Sequence, residues 1–266
     1  MIIDSHQHLM LPYELQLEKL DEAGVDKAIL FCTAPHPEKA KNYQELKKEM
    51  DALYSILAGV STKEEGKKRL KQNIQDMVSV LKQYPDRFWG FGSIPLGLSL
   101  QETIQWIDEY IISNGLKGVG EFTPGSEEQV RQLEVIFEAL EQFPSLPIWV
   151  HTFHPVSING LRILMELTHK HPRVSVIYGH MGGSNWMELL EFARKTKNAF
   201  IDLSAAFSTL AVRMAVSELP ERCLFSSDAP YGEPYLSRQL IEYVSPSDTV
   251  TQRVLGDNIQ KLVGER

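Results

Sequence analysis

Eight short apolar or β-branched runs recur along the sequence, at residues 1–6, 27–33, 87–94, 116–121, 147–152, 173–179, 199–203 and 222–227. Most of the segments between them carry apolar residues at helical spacing, as in Leu100, Ile104, Ile107 and Ile111, or Val130, Leu133, Phe137 and Leu140. Six of the seven intervals between run starts span 23 to 31 residues, room for one strand, one crossover helix and two loops. Eight such units predict an α/β chain closed into a single (β/α)8 TIM barrel over residues 1–266. A hydrophobic content of 43% is enough to fill such a core.

The long interval, after the second run, carries two further helical patterns: Leu46, Met50, Leu53 and Leu57, then Leu70, Ile74, Met77 and Leu81, separated near Ser61 and Thr62. A helical insertion is expected there, at about 35–84. A loop after a barrel strand opens onto the C-terminal face, so the insertion would cap a site, form a dimer contact or decorate the exterior.

Lys and Arg number 27 against 35 Asp and Glu, a net charge of −8, which disfavours a nucleic-acid or anionic-lipid partner. No run reaches the roughly 18 apolar residues of a membrane span. The first residues lack the basic and apolar regions of a signal peptide. Cys32 and Cys223 have no CxxC partner, which argues against a disulfide scaffold or a cysteine-held zinc. A cytoplasmic chain acting on a small molecule is the expectation.

Residues able to bind metal gather at one end of the expected barrel. His6, His8, Glu121 and His151 end the first, fourth and fifth runs or lie just past them, and His180 and Asp228 directly follow the sixth and eighth. Residues two apart in a strand point to the same side, so His6 and His8 can serve one ion. Barrel enzymes keep their active sites at this face, so the six residues form a candidate metal site. His169 and His171 precede a strand and read as helix C-terminal cations. His154 follows His151 by three residues and is either near substrate or exposed. Trp186, Tyr231 and Tyr235 follow strands six and eight, as pocket wall or as helix packing.

The segments Asp4-Ser5-His6-Gln7-His8, Val119-Gly120-Glu121-Phe122, Val150-His151-Thr152, Gly179-His180-Met181-Gly182-Gly183 and Ser227-Asp228-Ala229-Pro230 resemble the amidohydrolase superfamily of metal-dependent barrel enzymes. They are most similar to the branch that includes aminocarboxymuconate semialdehyde decarboxylase. The resemblance implies that His6, His8, His151 and Asp228 hold a divalent ion, zinc by default, and that His180 binds a second ion or the substrate. It also implies that Asp228 carries the proton of an activated water. That branch does not use a strand-four glutamate as a ligand, whereas other superfamily members bridge two metals from this position. Glu121 therefore leaves one ion or two open, or serves as a carboxylate hydrogen-bonded to a ligand.

Hydrolysis of an amide, lactone or ester of a small molecule is the expected reaction. The alternative is zinc-dependent, non-oxidative decarboxylation, in which Arg162, Arg213 and Arg238 are candidates to clamp a carboxylate. A TatD-like phosphoesterase and a non-catalytic metal-binding barrel are further alternatives. The resemblance and an exposed insertion also admit a homodimer.

Overall fold

The computed structural model describes residues 1–33, 35–57 and 63–264. Strand and helix alternate through them: β1 (Ile3–His8), α1 (Tyr13–Ala23), β2 (Lys27–Phe31), α2 (Tyr43–Leu57), α3 (Lys63–Gln83), β3 (Phe88–Gly92), α4 (Leu100–Trp106), β4 (Gly118–Phe122), α5 (Glu127–Arg131), α6 (Glu134–Leu140) and β5 (Ile148–His151). There follow α7 (Ile158–Lys170), β6 (Val176–Gly179), α8 (Trp186–Lys195), β7 (Ala199–Asp202), α9 (Thr209–Glu218), β8 (Cys223–Leu224), α10 (Pro234–Val244), α11 (Asp248–Gln252) and α12 (Asn258–Val263). Serines 99, 126, 157, 208 and 247 start five of the helices, each side chain accepting a backbone N–H of the first turn.

The eight strands pair in parallel and in sequential order, the (β/α)8 barrel expected from the spacing. Closure is made between β1 and the segment following β8: Ser5 N–H donates to Phe225 O at 2.9 Å, Asp228 N–H to His6 O at 2.9 Å and His8 N–H to Ala229 O at 2.7 Å. Inside the barrel, Ile3, Ile29, Phe31, Phe91, Trp149, Ile177 and Leu224 pack together, joined by Ile259 and Val263 of α12. A larger apolar layer lies between the strands and the helices.

Two irregularities in strand pairing bear on the site. The β1–β2 register shifts between Asp4 and Gln7, and the β4–β5 register shifts between Val119 and Phe122. An extra residue reverses the side on which later side chains emerge. Ile3 faces the barrel interior, yet so do His6 and His8 after the shift, and Glu121 is re-aimed in the same way. Gly120 permits the second irregularity, since its φ of +141° suits glycine and a Cβ there would meet Trp149 O at 2.7 Å.

Both helical patterns after β2 form. Ile74, Met77, Val78 and Val80 of α3 are buried against the barrel, so α3 takes the crossover position, and α2 is the added helix with Tyr43 and Tyr54 exposed. The break near Ser61 and Thr62 lies outside the described residues. Among the described residues, no helix is long and apolar enough to cross a membrane.

The Trp149 indole fills the middle of the barrel and leaves no room beside β6, where a Cβ on Gly179 would stand 2.0 Å from the ring. Gly179→Ala should therefore force this ring aside at a cost of about 1–3 kcal/mol. A lower urea midpoint with an unchanged slope is expected, and an unchanged midpoint contradicts this packing.

Candidate metal centre and active site

Four histidines each turn one ring nitrogen toward a common point at the C-terminal mouth. His6 Nε2 lies 3.5 Å from Glu121 Oε2 and 3.8 Å from Asp228 Oδ1, and His8 Nε2 lies 3.4 Å and 3.2 Å from the same atoms. On the far side, His151 Nδ1 lies 3.1 Å and His180 Nε2 3.8 Å from Glu121 Oε1. All six sequence candidates are thus brought together, as two neighbouring sets: His6, His8 and Asp228, then Glu121, His151 and His180. The resemblance grouped His151 with the first set, whereas the fold places it with Glu121.

Two of the outward nitrogens are held by the protein. His151 Nε2 contacts His154 O at 2.9 Å and His180 Nδ1 contacts Ser204 Oγ at 2.9 Å. Anchoring one ring nitrogen on a backbone carbonyl or hydroxyl leaves the other to face a ligand. Below them lies an apolar floor, with the His6 ring 4.2 Å from Trp149 and 4.7 Å from Phe31 between centroids.

Burial penalises charge on His6, Glu121 and Asp228, but the opposite charges around each outweigh it. His6 is raised to about 9, burial being overcome by Glu121, Asp228 and Asp202. Glu121 is held well below the usual carboxylate range despite burial, by His151, His180 and His6. Asp228 is likewise lowered against burial, mainly by His8.

A divalent cation fits this set. His6 is fully buried, yet neither ring nitrogen has a hydrogen-bond partner, and His8 Nδ1 is also unpartnered. Buried polar atoms left unpaired are costly, and a cation among the inward nitrogens would satisfy His6 Nε2. Imidazole nitrogens with carboxylate oxygens suit zinc, manganese or iron.

The remaining candidates fall in different places. Tyr231 stacks edge-on against His8 at 5.6 Å, and burial with the nearby Asp228 and Glu121 pushes its phenol up. His154 contributes its carbonyl; its exposed side chain lines a cleft with Thr152, Ser157, Ser184 and Asn185. Trp186 lies away from the centre, in a lateral cleft with Met187, Leu190 and Met214, because it opens α8 and packs on the outer layer. Tyr235 stands on α10 with its side chain exposed. The three arginines are engaged elsewhere: Arg162 with Glu188 at 2.7 Å, Arg238 with Glu242 at 2.8 Å, and Arg213 over the Tyr243 ring. His171 pairs with Glu141 at 2.9 Å. Burial pushes the thiols of Cys32 and Cys223 up to about 12, so neither is a ready nucleophile.

Asp202, Ser204 and Asp4 are site residues that the sequence reading did not single out. Asp202 ends β7 beneath His6 and His180, 3.8 Å from His6 Nδ1. As a carboxylate at a strand end it carried the same signal as Glu121 and Asp228.

Ligation requires neutral His6, so protons compete with the cation up to pH about 9. A histidine raised on folding stabilises the metal-free fold fully below its ordinary value of 6.5, and that contribution is lost as pH rises through about 9. Both effects have the same consequence: the rise in Tm produced by zinc or manganese should grow between pH 6.5 and 9. Thermal melts with and without cation test this, and a gap that is flat or shrinks with pH contradicts it.

An amidohydrolase family model matches residues 3–264. None of the curated proteins matches the chain in sequence. Among solved structures, 5-carboxyvanillate decarboxylase from Sphingomonas paucimobilis is similar at a TM-score of 0.70 and 16% identity, covering 98% of both chains. A dihydroxybenzoic acid decarboxylase from Polaromonas sp., crystallised with manganese and 2-nitroresorcinol, has a TM-score of 0.67 and 15% identity over 98% of this chain and 96% of its own. An amidohydrolase II structure has a TM-score of 0.70 and 19% identity over 100% of both chains. With a family model spanning barrel and site together, the chain belongs to the amidohydrolase family.

Proposed function

We propose that this chain is a divalent-cation-dependent enzyme that removes carbon dioxide from a small carboxylated molecule, with manganese or zinc held by His6, His8 and Asp228. The observation that carries the proposal is the place of Asp228, an ionised carboxylate 3.2 Å from His8 Nε2 at the edge of the donor set. A proton carrier thus stands beside the cation position. Two of the similar structures named above are decarboxylases of aromatic acids, which supports this reaction over the hydrolysis expected from sequence. Since Arg162, Arg213 and Arg238 are engaged elsewhere, the substrate's carboxylate is left to the cation.

When bound, the cation supplies positive charge that orients an acidic substrate and stabilises the electrons left on carbon as carbon dioxide departs. Asp228 takes a proton from a substrate hydroxyl and returns it to that carbon, so a C–H bond replaces the broken C–C bond. Trp149 and Phe31 give the site an apolar floor, and Tyr231 offers an aromatic edge to the substrate ring.

The test is release of carbon dioxide from hydroxybenzoates that carry the carboxylate beside a hydroxyl. Release should stop with a chelator, return with manganese or zinc, and fall at least about a hundredfold in kcat in Asp228→Asn. Full turnover in that variant, or no release from any carboxylated substrate, overturns the proposal.

Glu121 favours hydrolysis as a second reading, because Oε2 faces His6 and His8 while Oε1 faces His151 and His180. A carboxylate spanning two donor sets suits two ions, with Asp228 orienting a water and accepting its proton. Elemental analysis of protein prepared without chelator separates the two. One ion per chain in both wild type and Glu121→Ala is expected for decarboxylation, and two falling to one would favour hydrolysis.

A further inference from the structure

Asp202 is fully buried at the end of β7, and four donors converge on its carboxylate. Oδ1 accepts the backbone N–H groups of His180 at 3.1 Å and Ser204 at 3.0 Å, together with the Ser204 hydroxyl. Oδ2 accepts the Trp149 indole N–H at 3.3 Å. Ser204 Oγ in turn stands 2.9 Å from His180 Nδ1.

The direction of this chain of hydrogen bonds follows from counting hydrogens. A hydroxyl has one hydrogen to give, and a carboxylate oxygen surrounded by donors only accepts. The Ser204 hydrogen goes to Asp202, leaving an oxygen lone pair for His180 Nδ1, which must then carry its own hydrogen. A neutral imidazole protonated at Nδ1 has its free lone pair at Nε2, the nitrogen 3.8 Å from Glu121 Oε1.

The same carboxylate also holds the backbone. His180 and Met181 have φ of +58° and +42°, left-handed conformations that a side chain disfavours. The bond from His180 N–H to Asp202 pins the start of this turn, and Thr152 Oγ1, accepting Gly182 N–H at 3.0 Å, pins its next residues.

We propose that Asp202 and Ser204 are positioning residues that fix the tautomer and orientation of His180, so that a lone pair rather than an N–H faces the centre. The geometry stands by itself; its functional weight rests on the cation-centre reading. With the opposite tautomer, an N–H would point at the cation position and His180 would be lost as a ligand or acceptor.

The test uses protein labelled with 15N-histidine, metal-free and zinc-loaded, in wild type, Ser204→Ala and Ser204→Thr. Long-range 1H–15N correlations report which nitrogen of His180 carries the hydrogen, and chelator competition reports zinc retention. Wild type and Ser204→Thr should show hydrogen on Nδ1. Ser204→Ala should lose that preference while zinc on His6, His8 and Asp228 is retained, since His180 stands outside that set. Hydrogen on Nε2 in wild type overturns the proposal without reference to any variant. It is equally overturned if Ser204→Ala keeps the wild-type pattern, or if Ser204→Thr fails as Ser204→Ala does, which would assign the effect to packing. Neither readout uses turnover, so failure of the decarboxylation proposal leaves this test intact.

Discussion

The carboxylate of Asp4 holds the seam of the barrel. Its Oδ1 accepts the backbone N–H groups of Ser227 at 3.0 Å and His6 at 3.2 Å, while Oδ2 accepts the Ser227 hydroxyl at 2.5 Å and Gln7 Nε2 at 2.7 Å. Gln7 is itself held by Gln16, whose amide also reaches His8 O. Burial pushes Asp4 up to about 6, against the effect of these donors. A buried carboxylate tolerates such a place only when its oxygens are satisfied, and here two of the satisfying groups come from Ser227, 223 residues away from Asp4 in the chain. His6 and His8 on one side of this seam and Asp228 on the other are thereby placed within reach of one ion.

From that seam the site follows as an exercise in charge. Glu121, Asp202 and Asp228 meet four histidines above an apolar floor, where unpaired charge is costly. Without a cation, the inward nitrogens of His6 and His8 are shared among carboxylates at 3.2 to 3.8 Å, too long or too poorly aimed to satisfy His6. The outward nitrogens of His151 and His180, by contrast, are closed by His154 O and by Ser204 with Asp202. His151 and His180 are thus anchored from behind, while His6 keeps two unsatisfied nitrogens that a cation would in part relieve.

Much of this was legible in the sequence. The spacing of apolar runs gave the eight strands and their order, and strand ends gave His6, His8, Glu121, His151, His180 and Asp228. The expected eighth strand at 222–227 is regular only over Cys223–Leu224, since the chain beyond bends to bond β1 and to place Asp228 at a φ of +59°. The shifts in β1 and β4 were not legible, because a bulge depends on pairing with a neighbouring strand rather than on local pattern. Nor could spacing show that Arg162 prefers Glu188, or that Trp186 turns to the outer layer, since both depend on which helices become neighbours. The reaction class was the least legible, because hydrolysis and decarboxylation draw on one donor set and one proton carrier, and no local pattern distinguishes them.

The central claim is that the histidines and Asp228 form a cation site at the barrel mouth. Anomalous diffraction from crystals of the manganese-loaded protein tests it most directly. A peak is expected at the barrel mouth within coordination distance of His6 Nε2, His8 Nε2 and an Asp228 oxygen. No peak at the mouth, with manganese found instead at surface histidines such as His169, would contradict it.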